Sequence, residues 1–230
     1  MPHMFINRKR IHDLTRGRSD LRAQFRWETI NAVVYKVGGL VFIIGSILFF
    51  PRFEAYADIG AWTFFVGSLL YLVVTVHDLL EVRQHWRNSV SHDRLMVMEY
   101  IAASSYVWGT ILFTAGSIFF LSAVGWFTAG AWSFIVGSLL FVLGASINVL
   151  QIIKAENLVT MQLMNLTALT FVVASVPYLW EVKNPTTQTT LYTYLAWQYL
   201  IGSTLFFAGG VFNYWRAYLV MRASIECRGR

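Results

Sequence analysis

One short stretch of the chain carries residue types that bind metal ions. His77, Glu81 and His85 recur at intervals of four residues, so a helix would place all three on one face. Imidazole nitrogens and a carboxylate at this spacing are suited to a divalent metal such as zinc. Two interpretations are open: a metal or pH-sensing site, and the ordinary polarity of a helix end and its loop.

A second candidate site consists of three polar residues that share one position. Asp78, Asn148 and Asn213 each follow a tryptophan by sixteen residues, which is about 24 Å along a helix. The three tryptophans, which we expect to be interface anchors, are Trp62, Trp132 and Trp197. If their rings mark the outer interface, the polar residues lie near the inner edge of the hydrocarbon. They would either cap and hydrate the helix ends or line an inner constriction on a central axis.

Recognisable catalytic motifs do not occur in the sequence. It has no nucleophile elbow, phosphate loop, zincin helix or pair of mid-membrane carboxylates. We therefore expect no catalytic residues, no cofactor and no enzymatic activity. The single cysteine, Cys227, excludes an intrachain disulfide.

The elements that would carry the candidate residues are membrane-spanning helices. The chain is 57% hydrophobic and only 13% charged, whereas a soluble domain is roughly a quarter charged. Its apolar residues come in blocks of about twenty, each long enough to cross a hydrocarbon core of roughly 30 Å as a helix. The six blocks are 31–50, 59–80, 101–121, 130–152, 158–180 and 193–215. Polar residues dilute the fifth block most.

Two of these blocks are near-copies of each other. GAWTFFVGSLLYL at 60–72 and GAWSFIVGSLLFV at 130–142 agree at nine of thirteen positions, and AWQYLIGS at 196–203 is a weaker third copy. Because each unit holds two crossings, all three units enter the membrane in the same direction as parallel repeats. We predict an all-α integral membrane protein of six transmembrane helices, arranged as three parallel helical hairpins. A pseudo-threefold bundle is the natural packing, and a linear stack is the competing one.

Glycines spaced seven residues apart indicate how these helices pack. Seven residues make two turns, so each pair of glycines lies on one face and lets a neighbouring backbone approach closely. The predicted packing glycines are Gly38, Gly45, Gly60, Gly67, Gly109, Gly116, Gly130, Gly137, Gly202 and Gly209.

Positive charge predicts the orientation of the chain in the membrane. Of 18 Lys and Arg residues, only Arg52 and Lys183 fall in segments that face outward when both termini are cytoplasmic. This distribution agrees with the positive-inside rule. The basic segments would also attract anionic lipid. No nucleic-acid-binding motif accompanies them, so a nucleic acid is not expected as a partner.

The chain divides accordingly into hairpins and cytoplasmic segments. They are a basic amphipathic segment at 1–30, hairpin repeat 1 at 31–82, a linker at 83–100, hairpin repeat 2 at 101–153, a divergent hairpin repeat 3 at 154–216 and a tail at 217–230. Residues 1–30 and 83–95 are candidates for binding lipid or a cytoplasmic protein partner.

The sequences FIIGSILFF at 42–50 and GAWTFFVGSLLYLV at 60–73 together form one two-helix unit. This unit resembles the YrhK family of small bacterial membrane proteins. The resemblance covers the first two hairpins well and the third loosely. It implies an integral protein of a bacterial inner membrane, here with the unit apparently in three copies. Because the motif is a packing signature, it implies no activity and no site residues.

Two classes of function are compatible with this sequence. The leading interpretation is a non-enzymatic structural or regulatory protein that binds membrane lipids, a cytoplasmic protein partner or further copies of itself. The alternative is a channel or transporter for a small solute or ion. Its pathway would lie on the pseudo-axis or at a subunit interface.

Overall fold

The computed structural model describes residues 21–89, 94–150, 155–180 and 183–228. Within these ranges the chain is helical and has no strand. The six long helices are α1 (Leu21–Leu48), α2 (Ala57–Asn88), α3 (Arg94–Phe119), α4 (Phe127–Leu150), α5 (Ala155–Ser175) and α6 (Pro185–Arg228). Five of them contain an apolar stretch long enough to cross a membrane, and the apolar stretch that begins in α5, Asn165–Leu179, is shorter. The prediction of an all-helical chain with helices apolar enough to span a membrane is confirmed for these ranges.

Five of the six helices are longer than the apolar blocks that predicted them, and α5 is the exception. α1 already begins at Leu21, so residues 21–30 continue directly into the first hairpin, while residues 1–20 lie outside the described part. α2 runs to Asn88 and α6 to Arg228. The reason is that hydropathy marks only the part of a helix that suits lipid, whereas residues such as Arg, Glu and Gln extend helices into water.

Short turns join the two helices of each of the first two hairpins. A 3₁₀ turn that begins at Pro51 joins α1 to α2. Between α3 and α4, Gly125 has a φ of 65°, a left-handed conformation that glycine adopts without the strain a Cβ would bring. These turns bring the paired helices back antiparallel. We call this the hairpin end of the protein.

The third hairpin closes with proline and asparagine. α5 passes at Val176 into a 3₁₀ turn with Pro177 near its start, which interrupts the α-helical hydrogen bonding because proline has no N–H. The Asn184 side chain then accepts a hydrogen bond from the N–H of Thr186 at 3.0 Å and so satisfies one free donor at the start of α6. The opposite end, where α2 ends and α3 begins, is the linker end.

The six helices form a closed ring. Each helix packs against the helices that precede and follow it, and α6 packs against α1. On this closing seam the hydroxyls of Ser46 and Ser203 lie 3.0 Å apart and share a hydrogen bond. A linear stack would leave α1 and α6 separated, so the ring is the arrangement that the structure adopts. That the third hairpin is a copy of the other two stays a prediction.

Glycines let each hairpin close tightly, chiefly by accepting an aromatic ring from the opposite helix. A methyl group placed on Gly116 would lie 2.7 Å from a ring carbon of Phe134, and one placed on Gly67 would lie 2.8 Å from Phe42. All of the predicted packing glycines except Gly209 make a contact of this kind with the other helix of their own hairpin. Sequence reasoning foresaw close backbones there, but not the rings that fill the space.

Gly210, the neighbour of Gly209, lies on a different interface. Gly209 is buried, and a methyl group on Gly210 would lie 2.5 Å from the ring of Tyr35 in α1. This contact joins the third hairpin to the first. Small residues therefore also shape the seam that closes the ring.

Candidate functional site

Three aromatic rings close the centre of the bundle toward the hairpin end. Phe64, Phe134 and Tyr199 occupy equivalent positions in the predicted repeats, and all three are buried. Their ring centroids lie 6.2, 5.8 and 6.1 Å apart, so they form a nearly equilateral triangle. These distances fit a threefold arrangement. Rings at this separation are in contact, so no passage is open between them. We call these three rings the aromatic triangle.

Further rings continue the packing toward the linker end. Phe113 and Phe171 lie 5.7 Å apart across the interior, and Tyr71 lies 4.5 Å from Phe206. The hydroxyl of Tyr71 donates to the backbone carbonyl of Tyr35 at 2.7 Å, which satisfies a polar group that the interior would otherwise leave without a partner. The core of the bundle is therefore built largely from aromatic side chains.

A small cavity remains among these rings. Its volume is about 30 Å³, and residues from all six helices line it. Six of the lining side chains are aromatic, while Ser68, Ser138, Thr110 and Thr167 contribute hydroxyls. Because every helix of the ring reaches it, the cavity lies at the centre of the bundle. We call it the axial cavity.

Two residues of the predicted polar ring lie inside the protein, toward the linker end. Asp78 and Asn148 are 1% and 0% exposed, so both side chains face other helices rather than lipid or headgroups. The Asn148 amide donates to the Tyr106 hydroxyl at 3.3 Å. The side chain of Asn213 lies outside the described part of the chain. Two of the three positions are thus buried as a lining role would require, and the ring itself stays a prediction.

Two further carboxylates are buried toward the same end. Glu81 of α2 is 2% exposed and Glu99 of α3 is 7% exposed. Sequence reasoning missed Glu99, because it falls in the segment assigned to a cytoplasmic linker. A signal for it exists, since Glu99 precedes Tyr106 by seven residues just as Glu28 precedes Tyr35. Carboxylates inside a membrane protein are costly and commonly functional.

The predicted metal-binding residues lie along the last turns of α2. His77 Nδ1 is 3.8 Å from Oδ1 of the adjacent Asp78, and Glu81 is buried whereas His85 is half-buried. Among the residues that the structure describes, no group of three or more His, Cys, Asp or Glu side chains is arranged to hold a metal ion. Metal binding or pH sensing by this stretch stays a prediction.

The predicted interface anchors share one environment. Trp62, Trp132 and Trp197 are 51%, 54% and 52% exposed, so each ring lies on the outer surface of the bundle. Lys36 of α1 contacts an aromatic ring of α6. Its Nζ lies 4.2 Å from the centre of the Tyr214 ring, which makes a cation–π contact between α1 and α6.

One surface combines exposed positive charge with an apolar groove. Arg94, Ile101 and Trp108 are spaced by seven residues along α3, so they lie on one face of the helix. All three are exposed. Beside Ile101 and Trp108, a groove of about 440 Å³ runs from Tyr100 to Leu112 and is bounded on the α4 side by Leu140. We call this surface the α3 face.

Arginines of α2 add charge near the beginning of the α3 face. Arg83 and Arg87 are exposed in the last turns of α2, which packs against α3. The Trp86 ring lies 5.4 Å from that of Tyr100 and ties the two helices together at this level. Exposed cations therefore gather where the groove begins.

The repeated hairpin decides the family. A sequence model of the YrhK-like protein family matches the chain twice, at residues 25–82 and 97–153, which together make up half of it. The chain belongs to the YrhK-like family. The two matches coincide with the first and second hairpins, and the third hairpin lies outside both. No curated protein and no solved structure matches the chain.

Comparison of the two YrhK-like hairpins separates shared from private features. The aromatic rings and the glycines that accept them recur at equivalent positions, which explains why a family pattern captures them. The groove residue Trp108 is not shared, because its position in the second hairpin is held by Val37 in the first. A search for repeated motifs therefore could not find the α3 face.

Proposed function

We propose that this YrhK-like protein is a non-enzymatic membrane protein that acts by binding, and that its α3 face binds an anionic phospholipid. One observation carries the proposal: Arg94 lies on the same face of α3 as Ile101 and Trp108, which line an apolar groove that begins six residues after it. The phosphate of a lipid would bind the guanidinium of Arg94, and one of its acyl chains would pack along the groove beside Ile101 and Trp108. The predicted orientation, with basic segments in the cytoplasm, turns this face toward the leaflet that is richer in anionic lipid.

The dimensions support an acyl chain as the occupant of the groove. From Tyr100 to Leu112 the groove extends over twelve residues, which is about 18 Å of helix. One leaflet of a bilayer has roughly 15 Å of hydrocarbon. Arg94 precedes Tyr100 by six residues, so its guanidinium is placed nearer the headgroups, where long basic side chains commonly extend.

Lipid retained by the purified protein in nanodiscs tests this proposal. The discs would contain phosphatidylcholine with a minority of phosphatidylglycerol, and the bound phosphatidylglycerol would be measured by mass spectrometry. A basic residue near an anionic surface contributes about 1 kcal/mol, so Arg94→Gln should lower the preference for phosphatidylglycerol about fivefold. Arg52→Gln is the matched control, because Arg52 is an exposed arginine at the hairpin end. Equal effects of the two substitutions would contradict a specific site.

A second substitution tests the groove separately from the charge. Trp108→Val introduces the residue that the first hairpin has at this position. It should reduce lipid retention irrespective of the headgroup, because it removes apolar contact area rather than charge. Retention equal to that of the unaltered protein would mean that lipid does not use the groove.

A channel is the second candidate function. The observation that favours it is the burial of Asp78, Glu81 and Glu99 inside the bundle, toward the linker end. Against it, the aromatic triangle lies on the path that an axial pore would need. Potassium flux from proteoliposomes distinguishes the two functions. We expect no flux above that of empty vesicles, and a flux that Asp78→Ala abolishes would overturn the non-conducting assignment.

A further inference from the structure

The axial cavity is large enough for solvent. Its volume of about 30 Å³ exceeds the roughly 10–15 Å³ that one water molecule requires. It lies deep in the bundle, between the aromatic triangle and the buried polar residues toward the linker end. Whether such a cavity is wet depends on the polar groups around it, because cavities lined only by apolar groups stay dry.

Several serines in these helices bond to their own backbone. The hydroxyls of Ser46, Ser117 and Ser175 donate to the carbonyls four residues earlier, at 2.7 to 2.8 Å. This is the usual way in which a serine within a helix is satisfied. Two of these hydroxyls also meet a hydroxyl of α6, Ser46 that of Ser203 and Ser175 that of Tyr199.

Ser68 and Ser138 depart from this pattern. Both are fully buried, at 1% and 0% exposed, yet neither hydroxyl has a hydrogen-bond partner among the described residues. Both line the axial cavity. They hold equivalent positions in the two YrhK-like hairpins, and the residue in the third hairpin that aligns with them, Ser203, does have a partner, in Ser46. Among the buried serines that the structure describes, the two whose hydroxyls have no protein partner are therefore the two that border the cavity.

We infer that ordered water occupies the axial cavity and bridges Ser68 and Ser138. A buried water needs two to four polar partners, and the two serine hydroxyls supply the first two. Thr110, which also lines the cavity, donates its hydroxyl proton to the carbonyl of Tyr106 at 2.7 Å and keeps lone pairs that can accept from water. Water thus supplies hydrogen-bond partners to Ser68 and Ser138, just as Ser46 supplies one to Ser203 at the seam between α1 and α6. The aromatic triangle separates this water from the hairpin end, so the water would not belong to a column that crosses the whole bundle.

Two measurements test this inference. In an experimental structure of the unaltered protein, solvent density should lie within about 3 Å of both hydroxyls. Under xenon pressure, the unaltered cavity should bind no xenon because water fills it. Ser68→Ala/Ser138→Ala removes two of the polar partners that a buried water needs, so the cavity should lose its water and bind xenon. Ser133→Ala is the matched control, because the hydroxyl of Ser133 bonds to the carbonyl of Ala129 and does not line the cavity.

Xenon in the unaltered cavity, with both serine hydroxyls turned onto their own backbone, would overturn the inference. So would an absence of solvent density in a map that resolves water elsewhere in the protein. The density measurement needs no variant, so a failure of the double variant to fold would leave the test intact. Neither outcome bears on lipid binding, which concerns the outer surface of α3.

Discussion

Replacing Gly137 by alanine should weaken the second hairpin, whereas the same change at Gly202 should not weaken the third. The two glycines hold equivalent positions in their hairpins. A difference between the two substitutions therefore reports how much room each site has for a methyl group. A methyl group on Gly137 would lie 2.9 Å from a ring carbon of Phe113 and 3.0 Å from the backbone oxygen of Gly109. On Gly202, the nearest atom would be a ring carbon of Phe171 at 3.2 Å, with no backbone atom among the closest neighbours.

The expected magnitude follows from two opposing effects. Overpacking a well-filled interior costs about 1–3 kcal/mol, and at Gly137 the backbone oxygen cannot rotate away. Alanine offsets part of this, because it favours a helix over glycine by about 1 kcal/mol. We expect Gly137→Ala to lower the free energy of unfolding by about 1–2 kcal/mol. For Gly202→Ala, a small ring movement relieves the contact, and the free energy should change by less than about 0.5 kcal/mol.

Unfolding of the purified protein by dodecyl sulfate in mixed micelles measures both values, with circular dichroism as the signal. The result that would refute the reasoning is an equal loss at both sites. A gain in stability for Gly137→Ala would also refute it, because the helices would then be far enough apart to accept a methyl group.

Three further predictions concern the core, the surface and the hairpin end. Phe134→Ala removes one ring of the aromatic triangle and should lower the free energy of unfolding by about 3–5 kcal/mol, measured in the same assay. Trp132→Ala, at an exposed ring two residues away, should cost much less, and equal losses would contradict the assignment of inner and outer faces. Asp58→Ala removes the acceptor of two hydrogen bonds that Ser122 donates across the first two hairpins. Since that contact is exposed to water, its loss should be too small to resolve in the same assay, and a loss as large as that of Phe134→Ala would mean that the contact is shielded from water.

Much of the fold could be predicted from two features of the sequence. Hydropathy locates the helices, and the repeat shows which residues pack between them. Glycines seven residues apart and the aromatic positions between them recur in both hairpins, so aligning the copies places Phe64 and Phe134 at one level. Their approach to Tyr199 was not predictable in this way. It depends on the ring closing between α1 and α6, and a local pattern carries no information about contacts between distant helices.

The site was less predictable than the fold, for a related reason. Asp78 and Asn148 stand out in sequence as polar residues in apolar helices, and both prove to be buried. Glu99 does not stand out, because it lies in a polar stretch that resembles a loop until α3 is seen to begin at Arg94. The α3 face combines Arg94, at the start of α3, with a groove that α3 and Leu140 of α4 line together. Residues so far apart in sequence cannot be assigned to one surface before the helices are packed.

Cross-linking of α1 to α6 tests the closed ring on which this account rests. The hydroxyls of Ser46 and Ser203 are 3.0 Å apart, close enough for cysteines at the same positions to form a disulfide with little movement. In a Cys227→Ser background, Ser46→Cys/Ser203→Cys should form an intramolecular disulfide under mild oxidation in dilute micelles, and each single cysteine should form none. The closed ring predicts an oxidised monomer with altered gel mobility. Only intermolecular dimers, or no disulfide at all, would show that the first and last helices do not meet, and would contradict the account.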